Sequence, residues 1–241
     1  RVLFRSPGSE LSIGTDTALN NAVVALDSIK LSAAASHRCF VAEVMGRKCG
    51  YLSLMSGLAT GAEKVYLNEE GITLAGLAAD SERMVESFRS GRSLYLVIRN
   101  ERASVNYTTD VLAHIFAEEG KGLYDVREAI LGHQQQGGSP TAFDRIMATK
   151  LVAHSLELLA CALKRGEPTA SYVGLIRGKV SDHPLDRMND DLDRDHRRPR
   201  HQWWLGLRPA VGLVSQDIGT LTLQDVPDFG EAVDDAASDQ R

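Results

Sequence analysis

Cysteine is scarce in this sequence, and what there is shows no pairing pattern. Cys39, Cys49 and Cys161 are odd in number and lack any C-x-x-C spacing. That argues against a disulfide framework and a zinc site, and fits reduced thiols in a cytoplasmic protein. Basic excess is missing too. The 241 residues carry 27 Lys and Arg against 32 Asp and Glu, a net charge of −5, the wrong sign for a general nucleic-acid binder. No run approaches the roughly 18 to 20 apolar residues of a membrane helix, and none follows a basic start, so no membrane partner is expected. No internal repeat is visible. An initiator methionine is also lacking, since the chain opens at Arg1, as a piece of something longer would.

What is present is ordinary globular material: 43% hydrophobic and 24% charged residues, with ample length to bury a core. Apolar residues at Leu19, Ala22, Val23, Leu26 and Ile29 recur at helical spacing from Thr15 to about Ala35. The run from Cys39 to Val44 reads as a buried strand, Tyr51 to Ala59 as a helix, and Lys64 to Leu67 as a strand. A helix through Leu74, Leu77, Met84, Val85 and Phe88 follows, closed by Gly91. Ser93 to Ile98 is the clearest strand. Thr108 or Thr109 can cap the next helix, which stops before Gly120. A strand from Val126 to Leu131 and a long helix from about Ala142 to Lys164 complete the alternation. The expected class is α/β, a parallel sheet covered on both faces. Beyond Gly178 the pattern decays, until Trp203, Trp204, Leu205 and Leu207 resume an apolar segment that should dock on the domain. From Asp225 the acidic end reads as a disordered tail.

Ligands of open parallel sheets bind beyond the carboxyl ends of the strands. Three such ends carry glycine with polar groups: Met45-Gly46-Arg47, Arg99-Asn100-Glu101, and Gly132-His133 through Gly138. Glycine admits a close ligand, exposed N–H groups cradle phosphate, and a guanidinium such as that of Arg47 adds a charge-assisted contact. Glu101 suits a sugar hydroxyl, and His133 a hydroxyl or a phosphate oxygen. Together they suit a phosphorylated sugar, although each glycine turn alone also reads as plain structure. Arg38 and Arg127 lie at the other end of their strands, roughly 20 Å away at ~3.3 Å per residue. They are either solvated strand-start charges or groups that face a neighbouring subunit. Cys49 reads as a small core residue, and His114 and His154 as packing or surface residues. Lys121 lacks the glycine spacing and the Ser/Thr of a Walker lysine.

Long segments of the chain resemble 6-phosphofructokinase, and in particular the carboxyl-terminal half of the duplicated animal-type enzyme. They are Pro7 to Asn20, Glu43 to Leu52, Arg99 to Glu101, Asn106 to Asp110, Gly132 to Thr141 with Phe143 to Arg145, and Gln202 to Pro209. The resemblance implies a three-layer parallel-sheet fold lacking most of its N-terminal nucleotide-binding part. Residues 1–210 would be a partial sugar-phosphate-binding domain and 211–241 a C-terminal extension. It implies ATP-dependent phosphorylation of fructose 6-phosphate with Mg²⁺, a glycolytic step in the cytoplasm. Carried over by motif, the pocket would use Met45, Gly46, Arg47, Glu101, His133, Gln134, Gln135 and Gln136. Arg38 and Arg127 match arginines that reach across a subunit interface of a homo-oligomer, and Arg197 resembles a further bisphosphate-contacting arginine.

Departures from the family pattern shape the mechanism. The ATP-binding glycine motifs have no counterpart, and where a Thr-Ile-Asp-Asn-Asp segment should precede Gly8 the chain reads Arg1 to Ser6 without a carboxylate. Neither an ATP site, a metal site nor a catalytic residue is therefore expected in this chain, which alone should be inactive. Gln136 stands where catalytic halves carry arginine, as in the regulatory half that holds fructose 2,6-bisphosphate, whereas Arg47 is typical of catalytic halves. The regulatory half is the favoured reading. The alternatives are a non-catalytic binding or assembly module and a catalytic half without its nucleotide lobe.

Overall fold

The computed structural model describes residues 8–33, 36–166, 170–190 and 192–214. Its regular elements are α1 (Thr15–Ala33), β1 (Arg38–Val44), α2 (Tyr51–Thr60), β2 (Lys64–Tyr66), α3 (Leu74–Arg89), β3 (Leu94–Asn100), α4 (Thr109–Gly120) and β4 (Asp125–Ile130). There follow α5 (Ala142–Arg165), β5 (Ser171–Ile176), β6 (Lys179–Pro184), β7 (Leu192–Asp193), β8 (Arg198–Pro199) and α6 (Arg208–Val214). The chain divides into two compact units, residues 1–21 with 133–201 and residues 22–132 with 202–241.

The unit containing residues 22–132 is built on a parallel sheet in the order β2-β3-β1-β4. Parallel strands need crossover helices, and α2, α3 and α4 provide them, as the alternating pattern requires. Side chains alternate across the sheet. Cys39, Val41, Tyr95 and Val97 join Leu77, Met84 and Phe88 of α3 and Leu112 and Phe116 of α4 in one core. Tyr124 closes it, its ring stacked on Phe88 at 4.2 Å and its hydroxyl donating to Phe116 O. Leu96 and Ile98 point to the other face and are fully buried. There α2 runs so close that a Cβ on Gly57 would fall 2.5 Å from Val65 Cγ2. Each such buried aliphatic contributes about 1.5–3 kcal/mol. The tryptophan segment docks on this unit as its apolar content implied: Trp204 is fully buried with its ring 6.0 Å from Tyr51, and Arg208 donates to Glu70 and to Val65 O.

In the other unit, α5 is capped by Thr141, whose hydroxyl accepts from Asp144 N. The sequence analysis places no strand between the long helix and the tryptophan segment, yet β5 and β6 form a regular antiparallel hairpin. Its two-residue turn, Arg177-Gly178, has positive φ at both positions, the primed geometry that matches strand twist. Arginine at the first turn position conceals a signal that Asn-Gly would have announced. Residues 8–10 pack along this hairpin: Glu10 N donates to Leu175 O, Leu175 N to Ser9 Oγ, and a Cβ at Gly174 would lie 1.9 Å from Gly8 O.

One expectation needs correcting. An 18-residue window within α5 is long and apolar enough to cross a membrane on length and composition alone, and only 6% of it is buried. Lys150 and Glu157 punctuate the apolar stretch, and for that reason the run escaped a reading by uninterrupted apolar length. Val152, Leu156, Leu159 and Leu163 form an exposed seam along the helix, spaced 4, 3 and 4 residues apart.

Candidate functional site

In the sheet unit, the sequence-identified residues at the carboxyl ends of β1 and β3 come together. Val44 and Asn100 are register partners, and Glu101 N donates to Val44 O. The Glu101 carboxylate then accepts from the backbone N–H groups of Gly46, at 3.1 Å, and Arg47, at 2.5 Å. These successive N–H groups converge on one oxygen, the geometry of an anion-binding nest. Arg47 sits at φ +51°, a left-handed conformation that side chains other than glycine disfavour. Gly46 has no room for a side chain, because a Cβ would fall 2.4 Å from Cys49 O.

Three residues that the motif reading assigned no role hold these loops. Arg99, only 2% exposed, donates from Nη1 to Glu43 Oε2 at 2.7 Å, from Nη2 to Ser104 O and from Nε to Tyr107 O. Burial pulls its guanidinium below the ordinary arginine range, and the adjacent Glu43 carboxylate opposes that shift. Thr109 also donates to Glu43. Asn100 donates from Nδ2 to Cys49 O and accepts from Arg102 N. Their signal in the sequence was polarity inside an otherwise apolar strand, since a buried charge requires a partner.

Arg38 and Arg127 lie at the amino-terminal side of the same sheet. In the β1–β4 register Arg38 pairs with Asp125 and Phe40 with Arg127, which puts both arginines on one sheet face. Arg127 is exposed and 3.6 Å from Asp125, and Arg38 Nε is buried with no hydrogen-bond partner among the described residues.

In the second unit, His133 to Gln136 continue a 3₁₀ turn that starts at Gly132. His133, Gln134 and Gln136 are exposed while Gln135 is buried. Asn21 of α1 donates from Nδ2 to Gln135 O, at 3.2 Å, and to Gly137 O. Thr141 N donates to Thr17 Oγ1. The buried Asp144 carboxylate accepts from Gly14 N and Thr17 N, both at 2.8 Å, and from the Thr17 hydroxyl. It thereby caps the start of α1 from another element, favoured by the helix dipole. Arg197 lies at the exposed tip between β7 and β8 with φ +54°. Asp193 braces that tip, accepting from Asp195 N, His196 N and His196 Nδ1. The His196 bonds hold its carboxyl below the ordinary value. Met45 ends β1's run into the Gly46 loop, and its backbone continues directly into the nest.

The phosphofructokinase family model matches residues 6–159. The chain belongs to the phosphofructokinase family. Its relatives include the ATP-dependent 6-phosphofructokinase of Dictyostelium discoideum, 46% identical over 221 residues that cover 91% of this chain and 26% of that protein. The muscle-type ATP-dependent 6-phosphofructokinase of Canis lupus familiaris is 40% identical, covering 87% and 28%. Among solved structures, phosphofructokinase from Saccharomyces cerevisiae aligns with a TM-score of 0.82 at 35% identity, over 87% of this chain and 29% of that one. Pichia pastoris phosphofructokinase in the T-state gives 0.80 at 33% identity, over 91% and 26%. The chain thus spans about a quarter of the length of the curated phosphofructokinases it matches. The α/β parallel-sheet class expected from the sequence is the phosphofructokinase fold seen in these structures.

Proposed function

We propose that this chain supplies sugar-phosphate or effector-binding residues and subunit contacts to an ATP-dependent 6-phosphofructokinase, the cytoplasmic glycolytic phosphotransferase that makes fructose 1,6-bisphosphate from fructose 6-phosphate. The observation that carries the reading is the nest at the ends of β1 and β3, where Gly46, Arg47 and Glu101 gather, in a chain 46% identical to such an enzyme. The Arg47 guanidinium suits phosphate oxygens, and the Glu101 carboxylate that the nest N–H groups hold suits a sugar hydroxyl. Met45 belongs to the same strand end. The exposed His133, Gln134 and Gln136 suit the same ligand class on their own chemistry, with Gln135 as their buried neighbour. Arg197 is assigned to a phosphate of a bisphosphate.

Gln136 favours the regulatory reading, in which fructose 2,6-bisphosphate is the ligand, and Arg47 favours fructose 6-phosphate. Arg38 and Arg127 would reach a second subunit, making a homo-oligomer with shared sites. Residues 1–210 form the binding region in this reading and 211–241 an extension, of which 215–241 lie outside the described residues. ATP and Mg²⁺ belong to the complete enzyme. We assign no phosphoryl-transfer step to this chain, and taken alone it is proposed to be inactive.

Calorimetric titration of the purified chain with fructose 2,6-bisphosphate, fructose 6-phosphate and ATP tests this. Preference for the bisphosphate, weakened by Arg47→Ala, Arg127→Ala and His133→Ala and without ATP binding, is the expected result. Preference for fructose 6-phosphate would make the chain a catalytic half instead. A folded chain that binds no sugar phosphate would leave an assembly module.

A further inference from the structure

An open groove of about 660 Å³ runs between α3 and α4. Its floor is apolar. Leu77 is buried beneath it, Val85 and Ile115 pack on the same core, and Ala78 and the 67% exposed Leu74 stay open to solvent. Residues 74, 78 and 85 recur at helical spacing, so the apolar strip follows α3 from Leu74 to Arg89, roughly 22 Å at 1.5 Å per residue. Charge on the rim is mostly of one sign. Glu82 and Glu86, one turn apart on α3, and Glu119 of α4 are exposed, and their carboxylates hold no ion pair or hydrogen bond among the described residues. Arg83 also lines the groove, but its guanidinium is turned to the buried Asp80. Arg89 stands at the far end, where α3 finishes. The middle of the groove is thus an apolar strip between carboxylates on its two walls. The buried Ser81 hydroxyl in its depth is already committed, donating to Leu77 O.

We infer that the α3–α4 groove is a docking site for a cationic amphipathic helix of a partner protein. Its apolar stripe would lie on Leu74, Ala78, Val85 and Ile115, and its Lys or Arg side chains would meet Glu82, Glu86 and Glu119. A helix laid in an apolar groove binds through residues about one turn apart, the spacing this floor presents. A small ligand needs several convergent polar groups to fix it, and with Ser81 committed the depth of the groove offers none. A second copy paired groove to groove would set carboxylates against carboxylates. The chain's own segment from Asp225 is acidic, the wrong sign for this rim. None of the groove residues belongs to the strand-end nest or to the 133–138 turn, so docking here and sugar-phosphate binding are tested apart.

The test is fluorescence anisotropy of labelled synthetic peptides titrated with the whole chain. The probe is a helical peptide of about 14 residues, ~21 Å long, with leucine along one face and lysine elsewhere. One control carries glutamate in place of lysine, another alanine in place of leucine. The lysine–leucine peptide should bind, less tightly as salt rises, and both controls should bind about tenfold or more weakly. Leu74→Asp and the double variant Glu82→Lys/Glu86→Lys should each weaken binding about tenfold or more. Their thermal midpoints should stay near the parent's, because all three side chains are exposed. Asp27→Lys/Glu128→Lys makes the same change of net charge at exposed positions elsewhere and should leave binding unchanged. Amide ¹H–¹⁵N shifts on binding should concentrate on α3 and α4. Equal losses in the two double variants would reduce the effect to net charge, and shifts gathered on α5 would move it to another surface. Either result, or no binding by the parent chain, overturns the inference. Association of the chain with itself that Leu74→Asp abolishes in sedimentation would overturn it too, by making the occupant a second copy.

Discussion

Glu43 and Arg99 are register partners on adjacent parallel strands, and they join across the β1–β3 pairing at 2.7 Å. Nearly every atom of Arg99 is out of water, and its remaining donors tie down the 104–107 loop. The pair thus couples the strand end that carries Gly46 and Arg47 to the loop that follows Glu101.

Removing one partner of this pair leaves a buried charge without compensation. Arg99→Met should cost about 3–5 kcal/mol of unfolding free energy in urea titration. The double variant Arg99→Met/Glu43→Gln should cost less than the sum of its parts, because each single change already forfeits the same bond. Additive losses would show that the two residues act independently.

A second buried carboxylate makes stability depend on pH. Glu63 accepts from Leu96 N at 2.6 Å and from Arg92 at 3.0 Å. Burial nonetheless pushes its carboxyl above the ordinary 4.5, with those partners opposing the shift. Between 4.5 and the raised value the folded chain holds a proton that the unfolded chain has released. Stability from this group is therefore complete below 4.5 and is lost as pH rises through the folded value. Glu63→Gln removes the titration. The difference between parent and variant unfolding free energies, measured by denaturant from acid to neutral pH, should favour the parent most at the acid end.

Arg47 carries a backbone conformation that glycine adopts freely. Arg47→Gly should raise stability by about 0.5–1 kcal/mol, seen as a higher thermal midpoint, while weakening sugar-phosphate binding at least tenfold through loss of a charge-assisted contact. Gly46→Ala should lose on both measures, since its Cβ would strike Cys49 O. A stabilised Arg47→Gly that binds as before would remove the guanidinium from the site.

The seam of Val152, Leu156, Leu159 and Leu163 on α5 is exposed along its length. Contiguous apolar surface of this kind promotes association. Sedimentation velocity of the isolated chain should show species that grow with concentration, and Leu156→Glu with Leu159→Lys should shift the profile toward the smallest one. No change in the profile would show that the seam is not what drives association.

Much of this fold was legible in the sequence where periodicity and burial agree. Elements from α1 to α5 fall within a few residues of their expected limits, because Leu96, Val97 and Ile98 bury both sheet faces and the crossover helices carry one apolar stripe each. The β5–β6 hairpin was not legible: Tyr172 and Val173 precede a glycine at 174, and the turn hides behind Arg177. In the site, Gly46, Arg47 and Glu101 announced themselves by glycine and charge at strand ends. Asn21 and Asp144 did not, because they hydrogen-bond backbone far along the chain, nor did Glu43, whose partners are the side chains of Arg99 and Thr109; spacing in one dimension cannot show which distant group a side chain will meet.

The close approach of Gly8 to Gly174 gives residues 8–10 a mechanical duty. Glu10 N and Ser9 Oγ bond to β5, and no side chain fits between the Gly8 and Gly174 backbones. A protease nick after Glu10 would therefore release residues 8–10 from β5 and unlatch the hairpin.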